Sequence, residues 1–163
     1  MTEDPYRRPG YLLVVDDSPE GAKALRYAAA RARTVNGTIT LLHVIAPPEF
    51  LQWGSVQDMI AAEAQEAAET ALSRAADKVV SLVGITPSLL IRKGKLIDEV
   101  AGALADDPRL SALVLGAAAK GGKDTLVSTF AGERAAGLQS VVIIVPGSLS
   151  DEGIDALTGV VPG

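Results

Sequence analysis

Residues 11–21 read Tyr-Leu-Leu-Val-Val-Asp-Asp-Ser-Pro-Glu-Gly, and this stretch decides the fold. Tyr11 to Val15 form an unbroken apolar run with no polar alternation. A run of that length predicts a strand covered on both faces, as in a parallel sheet. The polarity then changes within one residue. Ser18 is a preferred helix N-cap, Pro19 suits the first helical position, and Glu20 complements the positive end of the helix dipole. The helix extends to about Thr34, with Ala24, Leu25, Ala28, Ala29 and Ala32 on its apolar face. Asn36-Gly37 closes it, since both residues tolerate the left-handed conformation of a C-cap.

The same alternation continues along the chain. Residues 38–45 (TITLLHVI), 87–92 (PSLLIR), 111–116 (SALVLG) and 140–145 (SVVIIV) predict four further strands. Between them, helical spacing spans about 56–82, 96–105 and 127–137. Strands alternating with helices specify an α/β fold: a doubly wound, five-stranded parallel sheet with helices on both faces. The domain expected is 10–147, with an N-terminal arm (1–9) and a C-terminal tail (148–163) that carries an acidic helical turn after Ser150. In such a sheet, ligands bind beyond the carboxyl ends of the strands where the strand order reverses. The segments that can carry function are therefore 16–19, 45–55, 93–95, 116–129 and 146–148.

Composition removes many chemistries. The chain of 163 residues has no cysteine and one histidine, His43. Disulfide scaffolds, thiol nucleophiles and Cys- or His-rich metal sites are excluded. No G-x-S-x-G elbow exists, so serine hydrolase chemistry has no support. His43 lies inside a strand and reads as a packed residue. The net charge of −5 and the pI near 4.9 argue against nucleic-acid or anionic-membrane partners, though not against one anion in one pocket. No apolar run reaches the length of a membrane span. Phe50, Leu51 and Trp53 read as anchors of the loop that follows strand two.

An acidic pair after strand one also occurs in response-regulator receivers. Here strand three ends in Arg92-Lys93-Gly94 with no phosphoacceptor aspartate, and Val145-Pro146 stands where that family has Lys-Pro. The stretch 46–86 between strands two and three is also far too long for a receiver.

The layout instead resembles the universal stress protein family. The resemblance rests on Val15-Asp16-Asp17-Ser18, on Leu42-His43-Val44, on the long crossover helix, on Val114-Leu115-Gly116 and on the Val-rich run from Val141 to Pro146. It implies the strand order 3-2-1-4-5 of the adenine nucleotide alpha hydrolase-like fold. It implies a cytoplasmic stress-response module that forms a homodimer through strand five (140–145) and binds ATP or AMP, with Mg, where strands one and four diverge. The role is binding rather than catalysis, with weak ATP hydrolysis as the limit and no catalytic residue assigned.

Carried over position by position, Asp16 matches the family aspartate that contacts the nucleotide, with Val15 beside it. Val44 matches the strand-two residue whose backbone meets adenine. Gly116 matches the first glycine of the phosphate motif. From there the sequence departs: the second glycine falls at Ala119, and the third at Ser128 or Thr129. Glycine there would give the backbone positive φ and close approach to phosphate. Lys120, Gly121, Gly122 and Lys123 offer a displaced cradle, and Ser128-Thr129 an anion-facing cap. Two readings follow. One is a nucleotide-responsive module, the other a nucleotide-independent dimer that acts through protein contacts.

Overall fold

The structure is a computed structural model, and it describes residues 8–47, 55–119 and 125–159. Strand β1 (Gly10–Val14) leads into helix α1 (Pro19–Val35), then β2 (Thr38–Ile45), α2 (Ser55–Val83), β3 (Ser88–Lys93), α3 (Leu96–Asp106) and β4 (Leu110–Ala117). A short helix α4 (Thr125–Ser128) runs into a π turn (Thr129–Glu133) and a 3-10 turn (Ala135–Gly137), before β5 (Val141–Pro146) and α5 (Asp151–Thr158). The five strands are parallel in the order β3-β2-β1-β4-β5. The order reverses between β1 and β4, because the chain leaves β1 toward β2 and β3 and later returns on its other side.

The apolar run of β1 is buried on both faces, and its side chains alternate between two cores. Tyr11 and Leu13 join Ala24, Leu25, Ala28, Ala29, Leu72, Val79 and Ile154 beneath α1, α2 and α5. Leu12 joins Leu42, Val100, Leu104, Leu113 and Phe130 on the opposite face. This is the period of two that a strand imposes. The small alanines of α1 let the helix lie close to the sheet.

Both ends of α1 follow from local chemistry. Ser18 has extended backbone, and its Oγ accepts from Gly21 N at 3.0 Å. Asn36 closes the helix at φ 55°, the left-handed region that Asn tolerates. Strand limits shift by a residue from the sequence expectation. Thus β1 ends at Val14, although Val15 N still donates to Leu42 O at 2.8 Å.

Two segments differ in kind. The single helix expected at 127–137 breaks into three short pieces. Arg134 N reaches back five residues to Thr129 O (3.0 Å), and Gly137 N reaches Arg134 O (3.2 Å). Val127, Ser128, Thr129, Gly132 and Gly137 are weak helix formers, so nothing local holds a regular ladder there. Phe130 on the π turn is fully buried and fixes the segment by tertiary packing instead.

The tail is more ordered than the turn its sequence suggests. Ser150 Oγ accepts from Gly153 N at 3.0 Å and starts the eight-residue α5. Ile154 and Thr158 of α5 are buried. Arg26 of α1 grips Asp155 through Nε (3.0 Å) and Nη2 (2.8 Å), and Lys23 pairs with Asp151 at 3.0 Å. Thr34 Oγ1 donates to Thr158 O at 3.0 Å. The lysine hydrogen bond holds Asp151 below the usual carboxylate range, and the arginine fork does the same to Asp155.

Candidate functional site

The β1–α1 turn stands at the reversal of strand order and presents Asp16 to solvent. Asp16 Oδ1 accepts from Ser18 N at 3.0 Å and from Ser18 Oγ at 2.5 Å. Ser18 Oγ in turn accepts from Gly21 N. The carboxylate is thereby tied to its own turn through one oxygen. Gly21 makes this possible: a Cβ there would sit 2.4 Å from Asp16 Oδ1. The aspartate position, the cap and the glycine three residues on form one constellation, and the sequence pattern carries all three.

Gly116 lies across the turn near the end of β4, opposite Val145 of β5. A Cβ on Gly116 would meet Glu20 O at 2.1 Å, Glu20 C at 2.5 Å and Glu20 Cβ at 3.0 Å. Its glycine is therefore required by the start of α1, which crosses β4 at that point. The cleft that Gly116 shares with Leu13, Asp16, Ser18, Gly21 and Leu126 encloses only about 30 Å³. That is room for a water or two among the described residues.

The other expected site residues divide as follows. Val15 is half-buried and packs on the core under α1 and α2. Val44 is half-buried on β2, opposite Arg92 of β3, and packs on the other core. Ala119 is exposed. Asn36 is the one non-glycine residue with positive φ among the described residues, so Ala119 and Thr129 need no glycine in this conformation. Ser128 has ordinary helical angles, φ −63° and ψ −38°. Lys120, Gly121, Gly122 and Lys123 lie outside the described residues, as do Phe50, Leu51 and Trp53. The turn thus gathers Asp16, Val15 and Gly116, while Val44 faces the far side of the sheet.

A second cavity opens on the α2 side of the same turn, and the sequence reading missed it. It encloses about 230 Å³, lined by Val14, Val15, Asp16, Asp17, Ser18, Gly21 and, from α2, Ala71, Arg74, Ala75 and Lys78. The signal for it was present as two basic residues four apart on a helix, but only the fold shows which strand end they face. One strand over, Ile45, Ala46, Pro47, Ile60, Ala64 and Lys93 border an apolar cavity of about 350 Å³. His43 is half-buried on β2, and its Nδ1 is buried without a hydrogen-bond partner among the described residues, so the hydrogen bond expected of a packed strand histidine is not seen at that nitrogen. The described residues hold no group of three or more metal-ligating side chains. No helix among them is long and apolar enough to cross a membrane.

Comparison with known proteins agrees with this architecture. The model of the universal stress protein family matches residues 11–146. Among solved structures, the universal stress protein UspA from Lactobacillus plantarum aligns with a TM-score of 0.63 at 18% identity, covering 85% of this chain and 98% of that one. A universal stress protein family protein from Arabidopsis thaliana with AMP bound aligns at 0.59 and 17% identity, covering 88% and 94%. The universal stress protein from Archaeoglobus fulgidus in complex with dAMP aligns at 0.53 and 21% identity, covering 86% and 98%. No curated protein matches the chain. At these identities the solved structures speak for the fold, which is the adenine nucleotide alpha hydrolase-like one. The family match spans β1 through β5, and on that ground the chain belongs to the universal stress protein family.

Proposed function

We propose that this protein is a cytoplasmic stress-response module that binds an adenine nucleotide, ATP or AMP, at the carboxyl end of β1. The observation that carries the reading is the β1–α1 turn. It holds an exposed, preoriented aspartate where the strand order reverses, which is where open α/β sheets take ligands. The AMP and dAMP complexes of the Arabidopsis and Archaeoglobus proteins support the choice of ligand class. The base and ribose would lie by Val15, Asp16 and the main chain of Val44. Asp16 keeps its second oxygen for a ligand hydroxyl, an acceptor role that needs no proton transfer. Gly116, Ala119, Lys120, Gly121, Ser128 and Thr129 would complete the β4 side of the site. No catalytic step is assigned.

The module would signal as a homodimer through β5. Among the described residues this strand pairs with β4 on one side only, and its Val141 and Ile144 are 63% and 38% exposed. An open apolar edge of this kind invites a second strand. One observation favours the nucleotide-independent alternative: Gly116 is explained by packing against Glu20 without any ligand.

Isothermal titration of the purified protein with Mg-ATP and with AMP tests the reading. Saturable heat is expected, and Asp16→Asn should weaken it about tenfold or more, the worth of a hydrogen bond to a charged acceptor. Absence of heat at millimolar ligand refutes nucleotide binding and leaves the dimer alone.

A further inference from the structure

Arg74 and Lys78 are one helical turn apart, so their side chains leave α2 on the same face. Both border the cavity of about 230 Å³ beside the β1–α1 turn. Neither makes a hydrogen bond or ion pair with a described residue, although Lys78 is close enough to Asp151 to help lower its pKa. Across the cavity stand Asp16, Asp17 and Ser18. The wall thus carries both signs of charge.

The turn separates this cavity from the β4-side cleft, and the two share Val14, Asp16, Ser18 and Gly21. A ligand seated over the end of β1 can send its charged end either way. On the β4 side the described residues border about 30 Å³. On the α2 side there are more than seven times that volume and two basic side chains.

We infer that Arg74 and Lys78 form a phosphate subsite that holds the polyphosphate of a nucleotide on the α2 side of the turn. The inference deepens the nucleotide reading above and rests on it for the base. The ligand class is a magnesium polyphosphate. Arginine and lysine meet the phosphate oxygens, one as a fork and the other as a point charge. Asp17 on the facing wall suits the metal, since Mg²⁺ is usually held by one or two carboxylates together with substrate phosphates. The positive end of α1 faces the same space and adds to the attraction.

The test separates phosphate from base. Magnesium tripolyphosphate and adenosine are titrated singly into the wild type, into the R74Q/K78Q double variant, and into K93Q/K95Q as a charge-matched control. All four residues are exposed, so folding is unaffected. The expected result is tripolyphosphate binding that weakens at least tenfold in R74Q/K78Q and holds in K93Q/K95Q, with adenosine affinity equal in all three. The inference is overturned if the wild type takes up no tripolyphosphate at millimolar concentration, or if R74Q/K78Q binds it unchanged. Equal weakening in both variants also overturns it, because that marks general charge attraction. Failure of adenosine alone to bind refutes the nucleotide reading and leaves the phosphate subsite standing.

Discussion

Replacing Gly116 with alanine separates two reasons for a glycine at that position. If the glycine serves only a bound phosphate, the ligand-free protein should tolerate a methyl group. The structure says otherwise. The new Cβ would lie 2.1 Å from Glu20 O, and the neighbouring atom is backbone, which cannot swing aside. To restore ordinary contact near 3.4 Å, α1 would have to retreat by about 1.3 Å. That retreat loosens Ala24, Ala28 and Ala29, which are at most 1% exposed against the sheet. Overpacking in a close-packed interior costs about 1–3 kcal/mol, and a backbone clash belongs at the upper end. For a domain of this size each kcal/mol shifts Tm by about 2–4 °C. Gly116→Ala should therefore lower Tm by about 6–12 °C with no ligand present. Thermal melts followed by circular dichroism, checked by urea denaturation, measure it. A ligand-free Tm within 2 °C of wild type would refute the packing argument and return Gly116 to the phosphate.

Other outcomes follow from the same contacts. Ile154→Ala removes a fully buried side chain beneath α5 and should cost about 2–5 kcal/mol in urea denaturation; a loss below 0.5 kcal/mol would mean that α5 does not hold to α1 in solution. Ser18→Ala removes the acceptor for Gly21 N and should cost about 1 kcal/mol by the same assay. Asp151 and Asp155 have folded pKa values depressed below those of the unfolded chain, so their contribution is present above the unfolded value. It is lost as pH falls through the folded values, and D155N should flatten the stability profile between about pH 5 and pH 2; an identical profile for variant and wild type contradicts the latch. If β5 pairs with a second copy, Val141→Lys should convert a species of twice 16.8 kDa to the monomer mass in light scattering, whereas a wild-type monomer at micromolar concentration rules the dimer out.

What could be read in the sequence was local. The unbroken run 11–15, the Ser18 cap and the Asn36 terminator each act through neighbours in the chain, and each stands where its chemistry puts it. Asp16 was legible for the same reason. What was not legible depends on residues far apart. Gly116 reads in the sequence as a phosphate glycine, and only the fold adds that Glu20 leaves no space there for a Cβ. Nothing local in Arg74 and Lys78 shows that they share a cavity with the β1–α1 turn. The irregular segment 125–137 keeps its shape through Phe130, whose socket no local pattern describes.

The latch between α1 and α5 joins residues 124 to 129 positions apart. Contacts so distant in sequence require a large loop to close before they return any energy, and they slow folding accordingly. During synthesis α1 is among the first elements to leave the ribosome, and α5 comes after every strand. Until then the groove that receives Ile154 stays open to solvent, flanked by Lys23 and Arg26. The nascent chain therefore carries an unfilled apolar slot through most of its translation, and the domain reaches its final packing only after residue 158 has emerged.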